Sequence, residues 1–119
     1  MQAAGHVKQR IDQNARRNAA LRRFLGLIAG VRPQLRKVTL FGSRARGDFR
    51  SDSDYDLLLV VSVRSPELEV ALYDAVLETL LSTGRLISLK VFSEAEFKRL
   101  SAIQTPFMKR IQKEGVDLG

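Results

Sequence analysis

Hydrophobic and polar positions along this chain follow two periods, one typical of helices and one typical of strands. From 7 to 29, apolar residues return every three or four positions with arginines and lysines between them, which predicts an amphipathic helix. We expect Gly30 and Pro33 to end this helix. Three short apolar runs predict strands at 37–41, 55–62 and 86–92. The middle strand is continuously apolar, as in strands that are covered on both faces.

A long helix is predicted from Ser65-Pro66 to about Ser82, because serine caps helices and proline fits their first turn. Gly84 is its expected stop. Its core face is predicted to carry an i+4 series of apolar residues: Leu68, Leu72, Val76 and Leu80. Two shorter helices follow, one at 93–100 and one that opens at Thr105-Pro106 and ends at Gly115. The order of elements, α-β-(α)-β-α-β-α-α, predicts an α/β (α+β) domain of two or three layers.

The composition fits one domain and excludes several kinds of functional site. With 119 residues, we treat 1–119 as a single domain in which 1–20 form a basic helical N-terminal extension. The lack of cysteine excludes disulfides and thiolate sites, and a single histidine, His6, leaves no basis for Ser-His-Asp catalysis or multi-histidine metal sites. Neither a signal peptide nor a long apolar run is apparent, so we expect a cytoplasmic protein without membrane contact.

The net charge of +7 is unevenly distributed. Residues 1–50 hold 12 basic and two acidic side chains, a balance of +10, whereas the remaining 69 residues hold eight basic and 11 acidic ones, a balance of −3. A basic half favours a polyanionic partner, which can be nucleic acid, a nucleotide or an acidic protein. A solvated helix face is the alternative explanation of the same charge.

One stretch, LFGSRARGDFRSDSDYDLLL at 40–59, combines features that point to phosphate chemistry. Gly42 and Ser43 stand where a strand is expected to turn into a helix, and glycine there lets the backbone approach a phosphate closely. Ser43 is expected to cap a short helical turn that Gly47 closes. Arg44 and Arg46 add positive charge beside this turn. Taken alone, the Phe-Gly-Ser segment is more often a plain turn at the end of a strand.

Two carboxylates follow the turn. Asp54 and Asp56 are two positions apart at the start of a strand, so both side chains are expected to point to the same face. Such a pair repels unless a cation lies between its members. Mg²⁺ is the natural candidate, since it is typically held by one or two carboxylates and by substrate phosphates. One short loop separates this pair from Gly42, so both parts can face one cleft, as nucleotidyl transfer requires.

The spacing of Gly42-Ser43, ten residues and Asp54-x-Asp56 resembles the signature of the DNA polymerase β-like nucleotidyltransferases. More closely, LFGSRARGD…SDSDYDLLL is similar to the minimal nucleotidyltransferases of HEPN/MNT toxin–antitoxin pairs. The resemblance implies a small mixed β-sheet flanked by helices, with Mg²⁺ (or Mn²⁺) as cofactor and ATP as substrate. It implies that Gly42 and Ser43 contact the triphosphate and that Asp54 and Asp56 are the catalytic metal ligands. A HEPN-type helical protein is the implied partner, and a homo-oligomer is left open.

Arg44 and Arg46 follow the Gly-Ser pair directly, and we assign them to nucleotide binding on the basis of their charge.

On the third strand the sequence departs from this family. The family's third carboxylate follows the long helix, and here Ser88 occupies that place, with Lys90 two positions further on. Ile87, Leu89 and Val91 are expected to form the core face of the strand, which turns Ser88 and Lys90 the other way. We predict that the nucleotide-associated metal site is kept and that the acceptor-activating one is weakened. The expected loss is several orders of magnitude in rate, at about 1.4 kcal/mol per tenfold.

Three functions remain open from the sequence. The first is a Mg²⁺-dependent nucleotidyltransferase that moves AMP from ATP to a hydroxyl acceptor, on a partner protein in an antitoxin role. The second is a catalytically degenerate, antitoxin-like binding module. The third is an RNA-directed nucleotidyltransferase, against which 119 residues leave no separate RNA-reading domain. Asp54 and Asp56 favour the enzyme, whereas Ser88 favours the module.

Overall fold

The computed structural model describes residues 18–119. Its elements follow the chain as α1 (Ala19–Leu27), a 3₁₀ helix (Ala29–Gln34), β1 (Leu35–Phe41), α2 (Ser43–Arg46), β2 (Tyr55–Val61), α3 (Pro66–Thr83), β3 (Ile87–Ser93), α4 (Glu94–Ala102), α5 (Pro106–Glu114) and β4 (Val116–Asp117). The predicted order of helices and strands is confirmed in this range. The first part of the predicted N-terminal helix, 7–17, lies outside the described residues.

The four strands form one mixed sheet in the order β3-β2-β1-β4. β2 and β3 are parallel, while β1 is antiparallel to both of its neighbours. α3 makes the crossover connection that a parallel pair needs. A small mixed sheet flanked by helices is the expected fold class, which is thereby confirmed. β4 was not predicted, because its two residues, Val116 and Asp117, are too few to show an alternating pattern.

Helices cover both faces of the sheet, so the domain has three layers. On one face, alternate residues of β2 join the main core with buried residues of α1 and α3: Leu57, Leu59 and Val61. On the opposite face, Leu58 packs with Phe41 and Ile111 and with phenylalanines from β3, α4 and α5. Asp56 shares this second face with Leu58, because residues two apart on a strand point the same way.

The ends of α3 follow the predicted signals. The Ser65 hydroxyl accepts a hydrogen bond from the N–H of Leu68 at 3.1 Å, and Pro66 is the first helical residue. Gly84 ends the helix in the left-handed conformation, with φ at 73°. α4 begins with a capping box at Ser93, directly after β3. These caps fix where the chain enters and leaves β3, and therefore which residues of β3 lie beside β2.

Gly30 and Pro33 do not end α1, so that prediction was wrong. α1 ends at Leu27, and both residues lie inside the 3₁₀ helix that follows. The tighter i→i+3 turns continue the chain where the α-helix stops, and such turns are frequent at helix C-termini.

The core face of α3 differs in part from the predicted one. Its buried residues are Leu68, Leu72, Ala75 and Thr79, whereas Leu80 is 37% exposed. A step of four residues rotates about 400° around an α-helix, so an i+4 series drifts by about 40° per step and leaves the core after three steps. None of the helices between residues 18 and 119 is both long enough and apolar enough to cross a membrane.

Candidate active site

The two aspartates of the motif stand at the start of β2. Asp54 precedes the strand and is exposed, and Asp56 is its second residue and is half-buried. Strand alternation turns Asp56 to the face of the sheet that carries Leu58. The two charges interact, since burial and then the charge of Asp54 raise the pKa of Asp56. The predicted pair of neighbouring carboxylates is present in the fold.

Gly42 lies against the carboxylate of Asp56. β1 and β2 pair so that Phe41 is opposite Asp56, which brings the following residue beside that carboxylate. A Cβ at position 42 would collide with Oδ2 of Asp56. The backbone there, at φ 77° and ψ −160°, is in a region that is essentially restricted to glycine. Glycine is therefore required twice at this position, by the space and by the conformation.

Ser43 is the first residue of α2, and Gly42 is the residue at its N-cap. The predicted cap at Ser43 was therefore wrong, because the helical turn begins one residue earlier than its spacing from Gly47 suggested. Gly47 closes the turn in the left-handed conformation, with φ at 91°, as predicted.

Charges of both signs surround Asp56. Burial and the charge of Asp54 raise its pKa, while Lys90 and Arg46 act in the opposite direction. The pKa nevertheless lies above the ordinary range, because the first two causes outweigh the two cations. The ionised form of Asp56 is thus destabilised where it stands, and a cation bound between the two carboxylates would stabilise it.

Arg44 points back to the loop that precedes β2. Its Nε and Nη2 donate to the carbonyl oxygen of Ser53 at 3.2 and 3.1 Å, and Nη2 also donates to that of Ser51 at 3.2 Å. Its guanidinium lies over the rings of Phe49 and Tyr55, at 4.2 and 4.3 Å from their centroids. The structure therefore places this side chain in contact with the loop that leads to Asp54.

Arg46 is joined to the C-terminal end of α5. It donates to Asp48 at 3.2 Å and to Glu114 at 3.1 Å, and Glu114 also accepts the N–H of Gly42 at 3.3 Å. Reasoning from the sequence missed Glu114. One signal was available, because an acidic residue in the last turn of a helix opposes the helix dipole and so needs another reason to be there.

β3 places Ser88 directly beside Asp56. The two residues are partners in the parallel pairing of β2 with β3, and Lys90 is the partner of Leu58 on the same face. Ile87 is buried in the main core, against which alternate residues of β3 also pack, so the predicted orientation of this strand is confirmed. Adjacent strands lie about 4.8 Å apart. A hydroxyl and an ammonium group thus stand beside the half-buried carboxylate.

A sequence profile of the family described as "Polymerase beta, Nucleotidyltransferase" matches residues 28–118. That range contains every site residue from Gly42 to Glu114. The chain belongs to this family. A Methanocaldococcus jannaschii protein named as a protein adenylyltransferase is 32% identical over 97 residues, which make up 81% of this chain and 91% of the relative.

Solved structures share the fold of this nucleotidyltransferase family member. One, described as a toxin–antitoxin with AMP-PNP, has a TM-score of 0.55 at 16% identity and covers 82% of this chain and 71% of its own. Another, a mutant of the toxin–antitoxin MntA-HpeT, has a TM-score of 0.53 at 14% identity and covers 80% and 68%. At these identities the likeness concerns the fold alone.

The donor set of this nucleotidyltransferase fits one divalent cation that is shared with a substrate. Between residues 18 and 119 no three acidic or histidine side chains come together, so the set consists of Asp54 and Asp56. Carboxylate oxygens suit Mg²⁺, which usually retains positions for water and for substrate phosphates. Burial and the charge of Asp54 raise the pKa of Asp56, and a cation between the two carboxylates would relieve their repulsion. Ser88 supplies no third carboxylate.

Proposed function

We propose that this protein transfers AMP from ATP to a hydroxyl acceptor, with Mg²⁺ or Mn²⁺ held by Asp54 and Asp56. The observation that carries the proposal is the contact between Gly42 and the carboxylate of Asp56, which joins the two halves of the family motif in one place. The name of the Methanocaldococcus jannaschii relative supports AMP as the transferred group and a protein as the acceptor.

The proposed reaction forms one bond to phosphorus and breaks another. The acceptor oxygen bonds to the α-phosphorus of ATP, the bond between that phosphorus and the bridging oxygen breaks with release of pyrophosphate, and the proton of the acceptor hydroxyl passes to solvent water. A bound Mg²⁺ supplies Lewis-acid stabilisation of the charge on the phosphate oxygens. Gly42 and Ser43 would contact the triphosphate, because Gly42 carries no side chain and Ser43 presents a hydroxyl directly after it.

The part of the site that would activate the acceptor hydroxyl has fewer suitable groups than the part that would bind the nucleotide. A carboxylate at position 88 would lie beside Asp56 and could help to remove the acceptor proton, but Ser88 is uncharged and Lys90 adds positive charge to the same face. We therefore propose a slow transferase.

We propose a HEPN-type helical toxin as the acceptor protein. The motif at 40–59 resembles that of antitoxins paired with such proteins, and toxin–antitoxin structures share the fold, one of them with AMP-PNP. In this role the protein would modify a hydroxyl side chain of its partner.

The nucleotide site is tested by calorimetric titration with an ATP analogue that has a methylene group between the α- and β-phosphorus atoms, with and without Mg²⁺. We expect metal-dependent binding that Asp54→Asn and Asp56→Asn each weaken at least about tenfold. Asp52→Asn is the matched control, because this exposed aspartate belongs to the same loop and should leave binding unchanged. Equal binding by all four proteins would contradict the assignment of the two aspartates.

A catalytically degenerate binding module is the second candidate function, and the presence of Ser88 and Lys90 beside Asp56 favours it. ATP labelled at the α-phosphate separates the two candidates when it is supplied with Mg²⁺ and a co-expressed HEPN partner. Label transferred to the partner by the wild type and not by Asp56→Asn supports the enzyme. Partner binding by both proteins with no transferred label supports the module.

A further inference from the structure

The guanidinium group of Arg44 is engaged within the protein by hydrogen bonds and by two aromatic rings. Its Nε and Nη2 donate to backbone carbonyl oxygens of the loop before β2. Its central carbon lies 4.2 and 4.3 Å from the ring centroids of Phe49 and Tyr55. We infer that Arg44 is a positioning residue that holds Asp54 in place, rather than a ligand of the triphosphate. This inference rests on the proposed function, in which Asp54 is a metal ligand.

Arg44 contacts the residues immediately before and after Asp54. The residue before it, Ser53, accepts two hydrogen bonds from Arg44 through its carbonyl oxygen, at 3.2 and 3.1 Å. The residue after it, Tyr55, lies with its ring under the guanidinium at 4.3 Å. Because both neighbours are held by one rigid planar group, the backbone of Asp54 has little freedom, although its side chain is exposed.

The ring of Tyr55, which the guanidinium contacts, is itself held in place. Tyr55 is only 4% exposed, and its hydroxyl accepts a hydrogen bond from the side chain of Asn18 at 2.8 Å. The loop has a second anchor, since Arg85 donates to the same Ser51 carbonyl that Arg44 contacts. Phe49 is 46% exposed, and its contact with the guanidinium of Arg44 is a cation–π interaction.

A lysine at position 44 would keep the positive charge but not the contacts that the guanidinium group makes. Its ammonium group has no planar face to lie against the rings of Phe49 and Tyr55 and cannot make the parallel hydrogen bonds of a guanidinium. Arg44→Lys therefore separates the two roles of this residue. If the role were to bind phosphate, lysine would preserve much of it, because lysine also binds phosphate as a point charge.

The experiment compares Arg44→Lys with Arg50→Lys, a matched change at an exposed arginine of the same loop. We expect Arg44→Lys to raise the Mg²⁺ concentration for half-maximal AMP transfer about tenfold, while the KM for ATP at saturating Mg²⁺ changes less than about twofold. Arg50→Lys should leave the Mg²⁺ requirement within about twofold of the wild type. A raised KM for ATP with an unchanged Mg²⁺ requirement in Arg44→Lys would overturn the inference.

Hydrogen exchange of the loop amides gives a readout that needs no activity. With Arg44→Lys, exchange in 48–54 should accelerate about tenfold or more, while exchange in α3 stays at the wild-type rate. Phe49→Leu removes one of the two ring contacts of Arg44 at an exposed position, so it should act in the same direction and to a smaller extent even if Arg44→Lys does not fold. Unchanged exchange in this loop in a folded Arg44→Lys protein overturns the positioning role. Absence of AMP transfer and of nucleotide binding in the wild type would count against the proposed function alone.

Discussion

Strands β2 and β3 run parallel at the edge of the sheet that carries the candidate site, yet they present different chemistry there. The start of β2 brings Asp56, and the residue just before the strand is Asp54, whose charge acts on the Asp56 carboxylate. β3 brings Ser88 and Lys90, a hydroxyl and a cation, to the positions beside Asp56 and Leu58. The candidate site therefore draws on both strands, whereas only β2 carries a carboxylate at these paired positions. Strand pairing determines which side chains are neighbours, and the residue types determine the charge between them.

Asp56→Asn removes one of the two neighbouring carboxylates, and we expect it to have the largest effect on AMP transfer. The variant keeps the shape of the side chain and removes the charge that would hold a metal beside Gly42, so we expect AMP transfer to fall by about 10²–10³-fold. The measurement is the initial rate of label transfer from ATP at saturating Mg²⁺. The control Asp52→Asn should retain the wild-type rate, and a similar loss in the control would mean that general loop charge is responsible.

Ser88→Asp should reduce the difference between the two strands. It adds a carboxylate beside Asp56, where it can bind a second metal and accept the acceptor proton, so we expect a gain of about 10–100-fold in the rate of AMP transfer. Ser88→Asn is the matched control, because it adds similar volume without charge and should give no gain. No gain with aspartate over the wild type would show that position 88 does not limit the reaction.

Lys90→Met removes the cation from β3 and leaves no charged side chain at the positions paired with Asp56 and Leu58. Lys90 acts to lower the pKa of Asp56, so its charge is felt at the carboxylates, and it repels a metal ion for the same reason. We expect the Mg²⁺ concentration for half-maximal activity to fall about two- to fivefold, with a smaller change at high salt. Lys98→Met, on the exposed side of α4, should leave it unchanged.

The smallest expected effect is on stability without divalent cations. Burial and Asp54 raise the pKa of Asp56 in the folded protein, so the unfolded chain ionises first as the pH rises. Stability is therefore lost as the pH rises from the ordinary aspartate pKa, near 3.9, through the raised folded value. In a chelator, Asp56→Asn should melt at a higher temperature than the wild type at pH 7, and the difference should vanish near pH 3. A lower melting temperature for the variant at pH 7 would contradict this.

Local signals made most of the fold predictable. The cap at Ser65, the stop at Gly84 and the continuous apolar run of β2 all depend on a few neighbouring residues, and the structure confirms each of them. The orientation of residue 88 was also predictable, because the alternation of β3 determines which of its side chains point away from the core.

Contacts between distant segments were not predictable in the same way. Glu114 reaches Gly42 and Arg46 only after α5 has packed on the sheet, across 72 and 68 positions of sequence. Arg44 was predicted to bind nucleotide because of its charge. The sequence holds no signal that its guanidinium would contact the rings of Phe49 and Tyr55. The roles of Gly42, Ser43, Asp54 and Asp56 in nucleotide and metal binding stay predictions.

The antiparallel pairing of β1 with β2 has a consequence for the time at which the site forms during folding. It brings Gly42 and Asp56 together within a span of 27 residues, Leu35–Val61, whereas Ser88 joins them only after the α3 crossover and a parallel pairing. Contacts that close short loops form earlier than those that close long ones. We expect pulse-labelling to show β1 and β2 amides protected before those of β3. The nucleotide end of the site would then be assembled first, as a local hairpin onto which the acceptor end is later added.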